Sequence, residues 1–110
     1  MGVVKLNRFE VWLINLDPTQ GSEIKKERPC IIVSPPEMMR LATVLVAPMT
    51  TKGRAYPCRV QCSFQGKTGL ILPDQMRAVD KSRFTRKLGK IDAATQIELC
   101  DLLQEIFAYK

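Results

Sequence analysis

"FEVWLINLDPTQGSEIKKERPCIIVSP", residues 9–35, reads as a strand, a polar loop and a second strand, and that reading decides the fold. Phe9 to Leu16 is apolar on both faces and rich in strand-forming residues. Asp17-Pro18 ends it, and Gly21 marks a turn. Residues 17–28 form a long polar loop, of a length that in compact domains is usually functional. Cys30 to Val33 is a short buried strand. Ser34 then opens a helical turn, with Pro35 at the first helical position and Glu37 three residues on to complete a capping box.

The rest of the chain continues in short strands. Thr43 to Ala47 is apolar and closed by Pro48, and "MTTKGRAYP" (49–57) is a second polar loop. Cys58, Val60 and Cys62 alternate with Arg59 and Gln61, as in a half-exposed strand. Gly69 to Leu72 is apolar, and Gln75 to Val79 follows Pro73-Asp74. Asp80 caps a short turn over 81–84, and "KLGKI" (87–91) is a weak last strand. The period then changes. Asp92 is an N-cap, and Leu99, Leu102, Leu103 and Ile106 form a helical apolar stripe. Short strands followed by one amphipathic helix predict a mainly β fold: a small, partly open β-barrel with a C-terminal helix packed on it. At 110 residues the chain is expected to be one domain, residues 1–110.

The net charge of +6 is unevenly placed. Residues 1–91 carry 16 Lys/Arg against 7 Asp/Glu (+9), and residues 92–110 carry 1 against 4 (−3). A basic body suits a polyanion or an acidic peptide, although solubility alone also accounts for it. No apolar run approaches the roughly 20 residues that span a bilayer, and Lys5, Arg8 and Glu10 break up the N-terminus as a secretory signal. The expected location is cytoplasmic, with no membrane partner.

Cys30, Cys58, Cys62 and Cys100 include no CxxC pair. On a strand, Cys58 and Cys62 stand roughly 13 Å apart, too far to share a metal or a disulfide. With no histidine to complete a ligand set, no metal and no other cofactor is expected, and the four cysteines read as buried thiols. The missing histidine also excludes histidine-based acid–base and nucleophilic schemes. No Walker-type phosphate loop and no carboxylate cluster with magnesium-binding spacing is present.

The loops then leave Glu23, Arg28, Thr50, Thr51, Lys52 and Arg54. As a surface ion pair, Glu23 and Arg28 would contribute about 0–1 kcal/mol and mean little. As chemistry they suit a phosphodiester. A carboxylate removes a proton from a ribose 2′-hydroxyl, a guanidinium grips phosphate oxygens in a bidentate fork, and a threonine hydroxyl adds a hydrogen bond. Such a site needs RNA, because the nucleophile is the 2′-OH.

The segment 10–35 resembles the opening of the MazF/PemK/Kid toxin family: a strand, a D-P-T-x-G-x-E loop, R-P, and an apolar strand ending in S-P. "VLVAPMTTK", "YPCRV" and "GLILPDQMRAVDKSRF" resemble later family segments, in order, so the likeness covers about residues 8–107. It implies an SH3-like barrel, the fold shared by PemK and CcdB toxins. It implies a homodimer and a ribosome-independent endoribonuclease, an mRNA interferase, that cuts single-stranded RNA at short sequences. It further implies a cognate antitoxin with an acidic C-terminal segment, and operator DNA bound only through the antitoxin complex. Carried over, Glu23 is the general base, Arg28 the phosphate-binding group and Thr50 the transition-state donor. Lys25, Lys26, Thr51, Lys52 and Arg54 flank them as RNA-binding residues. Arg28 is read as a charge stabiliser, since its pKa is too high for proton donation.

The chain departs from the family at three places. Phe9 stands where many members have glycine, a difference expected to affect packing only. Ser22 replaces a histidine of the Kid branch, and Leu72 replaces that branch's arginine two residues before the aspartate. The catalytic set therefore follows the MazF-type branch, and Asp74 is expected to be structural. Trp12 is expected in the core or a dimer interface. The other reading for the same barrel is a non-catalytic toxin that binds DNA gyrase; Glu23, Arg28 and Thr50 together favour the nuclease.

Overall fold

The computed structural model describes residues 5–16 and 27–110. Seven strands run in the order β1 (Glu10–Asn15), β2 (Glu27–Ile32), β3 (Thr43–Thr50), β4 (Val60–Phe64), β5 (Lys67–Ile71), β6 (Arg77–Asp80) and β7 (Phe84–Lys90), followed by helix α1 (Ala93–Phe107). They form one curled sheet in the spatial order β4-β5-β3-β2-β1-β7, with β6 added to β3. The expected mainly β, partly open barrel with a C-terminal helix is what the chain forms.

β3 produces the curl. Its first half pairs with β6, its middle with β2, and its last two residues with β5. The strands change partner as they go, so the sheet bends back on itself. The open edges β4 and β7 then meet. Gln65 Nε2 donates to the Leu88 carbonyl at 2.9 Å, and the Phe64 ring lies so close to Gly89 that an added Cβ would sit 3.0 Å from Cζ.

The central strands are buried on both faces, which explains why β1 to β3 read as continuous apolar runs rather than alternating ones. One core holds Val11, Ile31, Val33, Ala47, Met49, Val60, Cys62 and Ile71 under Leu99 of α1. The other holds Trp12, Ile14, Cys30, Ile32, Val44, Val46, Val79 and Phe84. Trp12 is thus a core residue, in edge contact with Phe84 at 5.8 Å between centroids. Two of the four thiols, Cys30 and Cys62, are buried; Cys58 and Cys100 are half-buried, which corrects the expectation of four buried ones.

One buried charge belongs to the framework. The Glu10 carboxylate, 3 % exposed, accepts from Asn7 N (3.0 Å), Asn7 Nδ2 (3.1 Å) and Trp12 Nε1 (2.9 Å), and it pairs with Lys87 Nζ at 2.9 Å. Burial raises its pKa, but the donors of Trp12, Lys87 and Asn7 outweigh burial and lower it to about 2.

Several local expectations change. Ser34 caps nothing: its Oγ accepts from Leu45 N at 2.7 Å, and the following 3-10 turn is Pro36–Met38, with Pro35 at its N-cap. A buried hydroxyl beside an orphan strand N–H serves better there than at an exposed cap. β2 begins at Glu27, so Arg28 lies on a strand, not in the loop. β3 runs through Pro48 to Thr50 because the Pro48 carbonyl still accepts from Leu72 N at 2.9 Å. β4 starts only at Val60, and β7 is longer than "KLGKI". Asp80 and Asp92 do cap, accepting from Ser82 N (2.9 Å) and Thr95 N (2.8 Å). Leu99, Leu102 and Leu103 pack inward, whereas Ile106 is exposed. Phe9 has φ +72, a conformation that glycine adopts freely and a phenylalanine does not. The substitution there therefore touches the backbone as well as the packing.

Candidate functional site

The β2–β3 ladder pairs Ile32 with Val46, Ile31 with Ala47 and Cys30 with Pro48, and then stops. Pro48 stands at its last rung and Pro29 one residue beyond. Pro29 has no N–H to give to β3, and the Pro48 carbonyl is turned the other way, to Leu72 N, so the β2–β3 ladder goes no further. Continuing the same register brings Arg28 opposite Thr50, on one face of two adjacent strands.

Thr50 Oγ1 accepts from Lys52 N at 3.1 Å. This fixes its rotamer and leaves the O–H to donate. Arg28 is half-buried. Its guanidinium and that of Arg77 both act on the Cys30 thiol. Burial pushes that thiol up to about 12 and the two cations temper the rise. Cys30 is therefore a neutral packing group below two positive charges, not a nucleophile.

A cavity of about 420 Å³ opens where the ladder ends, bounded by Arg28, Thr50 and Thr51 and, across from them, by the tip of the β4–β5 hairpin. Gly69 lets this happen. A Cβ there would stand 2.6 Å from the Thr50 carbonyl oxygen, so only glycine allows β5 to pass this close to Thr50. The loop leaving Thr50 is held by Arg59. Its Nε and Nη2 each donate to Asp74 at 3.3 Å, and its Nη1 donates to the Arg54 carbonyl at 3.1 Å. The Arg59 guanidinium also lies 4.9 Å from the Tyr56 ring centroid. Asp74 thus has a structural partner, and its hydrogen bonds raise the pKa of Arg59 further.

Of the residues expected from the sequence, the structure brings Arg28, Thr50 and Thr51 to one cavity. Lys52 and Arg54 are exposed on the adjoining loop, outside the cavity lining. Glu23, Lys25 and Lys26 lie outside the described residues. In the basic run 77–90, Lys87 is engaged by Glu10, Arg83 donates to the Asn15 carbonyl at 3.2 Å, and Lys81 donates to the Met39 carbonyl. These three cations hold the fold together. Sequence reading missed Glu27, Phe64, Gln65, Lys67 and Gly69. The one signal available for them was the glycine that opens "GLILPDQ".

The family model described as PemK-like, MazF-like toxin of type II toxin–antitoxin system matches residues 7–107. Endoribonuclease MazF9 of Mycobacterium tuberculosis is 31% identical over 111 residues, covering 90% of this chain and 93% of that protein. Endoribonuclease PemK of Escherichia coli is 32% identical over 108 residues, covering 92% and 81%. Among solved structures, a mycobacterial endoribonuclease in complex with its cognate antitoxin superposes with a TM-score of 0.81 at 22% identity, covering 96% of this chain and 98% of that one. A MazE–MazF complex of Deinococcus radiodurans gives 0.78 at 22% identity, with coverage of 96% and 98%. The named relatives are endoribonucleases and give the gyrase-binding reading no support.

Proposed function

This chain belongs to the PemK-like, MazF-like family of toxins of type II toxin–antitoxin systems, and on that premise we propose that it is an endoribonuclease that cuts single-stranded RNA without a metal. The observation that supports the reading is that Arg28 and Thr50, on neighbouring strands just past the end of the β2–β3 ladder, line one cavity. Glu23 takes the proton of the ribose 2′-hydroxyl. The 2′-oxygen attacks the adjacent phosphorus, and the bond to the 5′-oxygen breaks. The leaving oxygen takes a proton from water. Arg28 stabilises the extra negative charge on the phosphorane oxygens with a bidentate fork, and Thr50 donates to one of them. The guanidinium remains charged throughout. Thr51, Lys25, Lys26, Lys52 and Arg54 attract the strand's other phosphates.

The partners follow from the same charge. The toxin is a cytoplasmic homodimer that binds RNA and an antitoxin. The antitoxin's acidic segment, disordered when free, competes for Arg28 and the neighbouring lysines. Operator DNA is reached only through that antitoxin.

The test is incubation of the purified protein with a long RNA and mapping of the cuts. Cleavage is expected to persist in a chelator and to fail where the ribose at the cut is 2′-deoxy. Products are expected to carry a 2′,3′-cyclic phosphate and a 5′-hydroxyl. A metal requirement or a 5′-phosphate product refutes the mechanism. In a parallel titration with the antitoxin, inhibition is expected to weaken with salt.

A further inference from the structure

The cavity has a side that the phosphate chemistry does not use. On β2, Glu27 shares its face with Pro29 and Ile31, the face of the helix-covered core. On β4, Phe64 follows Cys62 on that same face. Phe64 is half-buried, and the edge of its ring is fixed against Gly89. The hairpin that carries it turns at Gln65 and Gly66, both at positive φ (53 and 76), and is clamped to β7 through the Gln65 amide. A pinned aromatic ring therefore lines the same cavity as Arg28 and Thr50, and Glu27 and Lys67 line it too.

We propose that this cavity is a nucleobase subsite next to the scissile phosphate, in which Phe64 stacks one base and Glu27 selects a base that carries an exocyclic amino group. The inference rests on the endoribonuclease reading and names what sets its sequence preference. Stacking suits Phe64 because every base has a π-face, so the ring supplies affinity without choosing. The choice falls to Glu27: a carboxylate only accepts hydrogen bonds, so adenine, cytosine or guanine, which present an amino group, are favoured over uracil, whose one edge donor, N3–H, lies between two carbonyl oxygens that repel the carboxylate. Lys67 offsets the repulsion between that carboxylate and the RNA backbone. A nucleotide is favoured over a peptide because the ring and the carboxylate adjoin the residues that grip a phosphate.

The experiment compares wild type, Phe64→Leu and Glu27→Gln on a long RNA with every cut mapped. It also measures binding of an oligonucleotide that holds the mapped site with a 2′-deoxy ribose at the cut. Wild-type cuts are expected to share an amino-bearing base at one fixed position beside the cut. Glu27→Gln, at an exposed position, is expected to relax that position alone and leave the rest of the preferred sequence in place. Phe64→Leu is expected to weaken oligonucleotide binding about tenfold, with circular dichroism reporting the fold. If wild type cuts RNA but Glu27→Gln keeps the same preference at every position, the subsite is wrong and the nuclease reading stands. The subsite is equally wrong if the antitoxin's inhibition depends on Phe64 while cut sites and oligonucleotide binding do not. If wild type does not cut RNA, both fall.

Discussion

Two charged regions of this small barrel are built in opposite ways. At Glu10 a carboxylate is buried beneath four donor contacts from Asn7, Trp12 and Lys87. At Arg28 and Thr50 the polar groups stand just past the end of the β2–β3 ladder, which Pro29 brings to a stop. A buried charge is tolerated only when its partners are supplied from within. A charge that binds a ligand must instead have its partner withheld until the ligand arrives. The difference teaches that a strongly basic chain does not show from charge alone which cations are for binding. Lys81, Arg83 and Lys87 are tied into the fold, whereas Arg28 lines the cavity.

The contrast is broken most sharply at Arg28. Arg28→Ala is expected to reduce RNA cleavage at least about a hundredfold, since loss of one transition-state contact costs about 2.7–4 kcal/mol. Thermal unfolding is expected to move little, because the side chain is only half-buried and the backbone pairing of residue 28 with Ile14 is kept. Arg28→Lys is expected to remain poor, as a point charge does not replace a fork. Near wild-type cleavage by folded Arg28→Ala sinks the mechanism.

Glu10 is expected to give the inverse result. Glu10→Ala removes a buried acceptor from three partner residues and is expected to cost about 3 kcal/mol of stability. Cleavage per folded molecule stays close to wild type at low temperature. The pH dependence follows from the lowered pKa. Folding holds Glu10 ionised down to about pH 2, below its value in the unfolded chain. Its contribution is complete above the unfolded pKa, and it is lost as the pH falls toward 2. Urea titrations through that acidic window are expected to show a flatter decline for Glu10→Gln than for wild type. Parallel curves refute the assignment.

Smaller effects sharpen the boundary between the regions. Gly69→Ala places a methyl 2.6 Å from the Thr50 carbonyl, so β5 or Thr50 must move. A misplaced catalytic group is expected to lower cleavage about ten- to a hundredfold, with a modest change in stability. Unchanged cleavage indicates that Thr50 is not in the reaction. The smallest effect is expected at Phe9. Phe9→Gly releases a left-handed strain of about 1–2 kcal/mol and removes apolar contacts of similar size. Unfolding free energies from denaturant titrations are expected to differ by no more than about 1 kcal/mol.

Much of this was legible in the residues, for local reasons. Asp80 and Asp92 cap as read, because a cap is a contact within a few residues. The apolar runs at 9–16 and 30–33 hold β1 (Glu10–Asn15) and the second half of β2 (Glu27–Ile32), because both faces of the central sheet are buried. Arg28 and Thr50 were found through motif resemblance, and the fold brings both to one cavity. Phe64 and Glu27 were not found. Nothing local distinguishes a hairpin phenylalanine that closes a barrel from one that merely packs. Ser34 was misread for a related reason: its neighbours satisfy a capping box, but its hydrogen bond goes to Leu45, eleven residues away.

The strand-rich order, the final helix and the family were all readable from the residues alone, and so were the candidates proposed for the phosphate chemistry. Those depend on side-chain type and on spacing along the chain. It took the folded chain to show which charges are tied inside and which line the cavity, and that the open edges of the sheet meet at Phe64 and Gln65. The fold also decided that β5 passes Thr50 closely enough to require Gly69. These depend on how far a sheet curls before its edges touch. That curl is the joint result of β3 serving β6, β2 and β5 in turn, a property of pairings between distant residues that no short stretch of the chain contains.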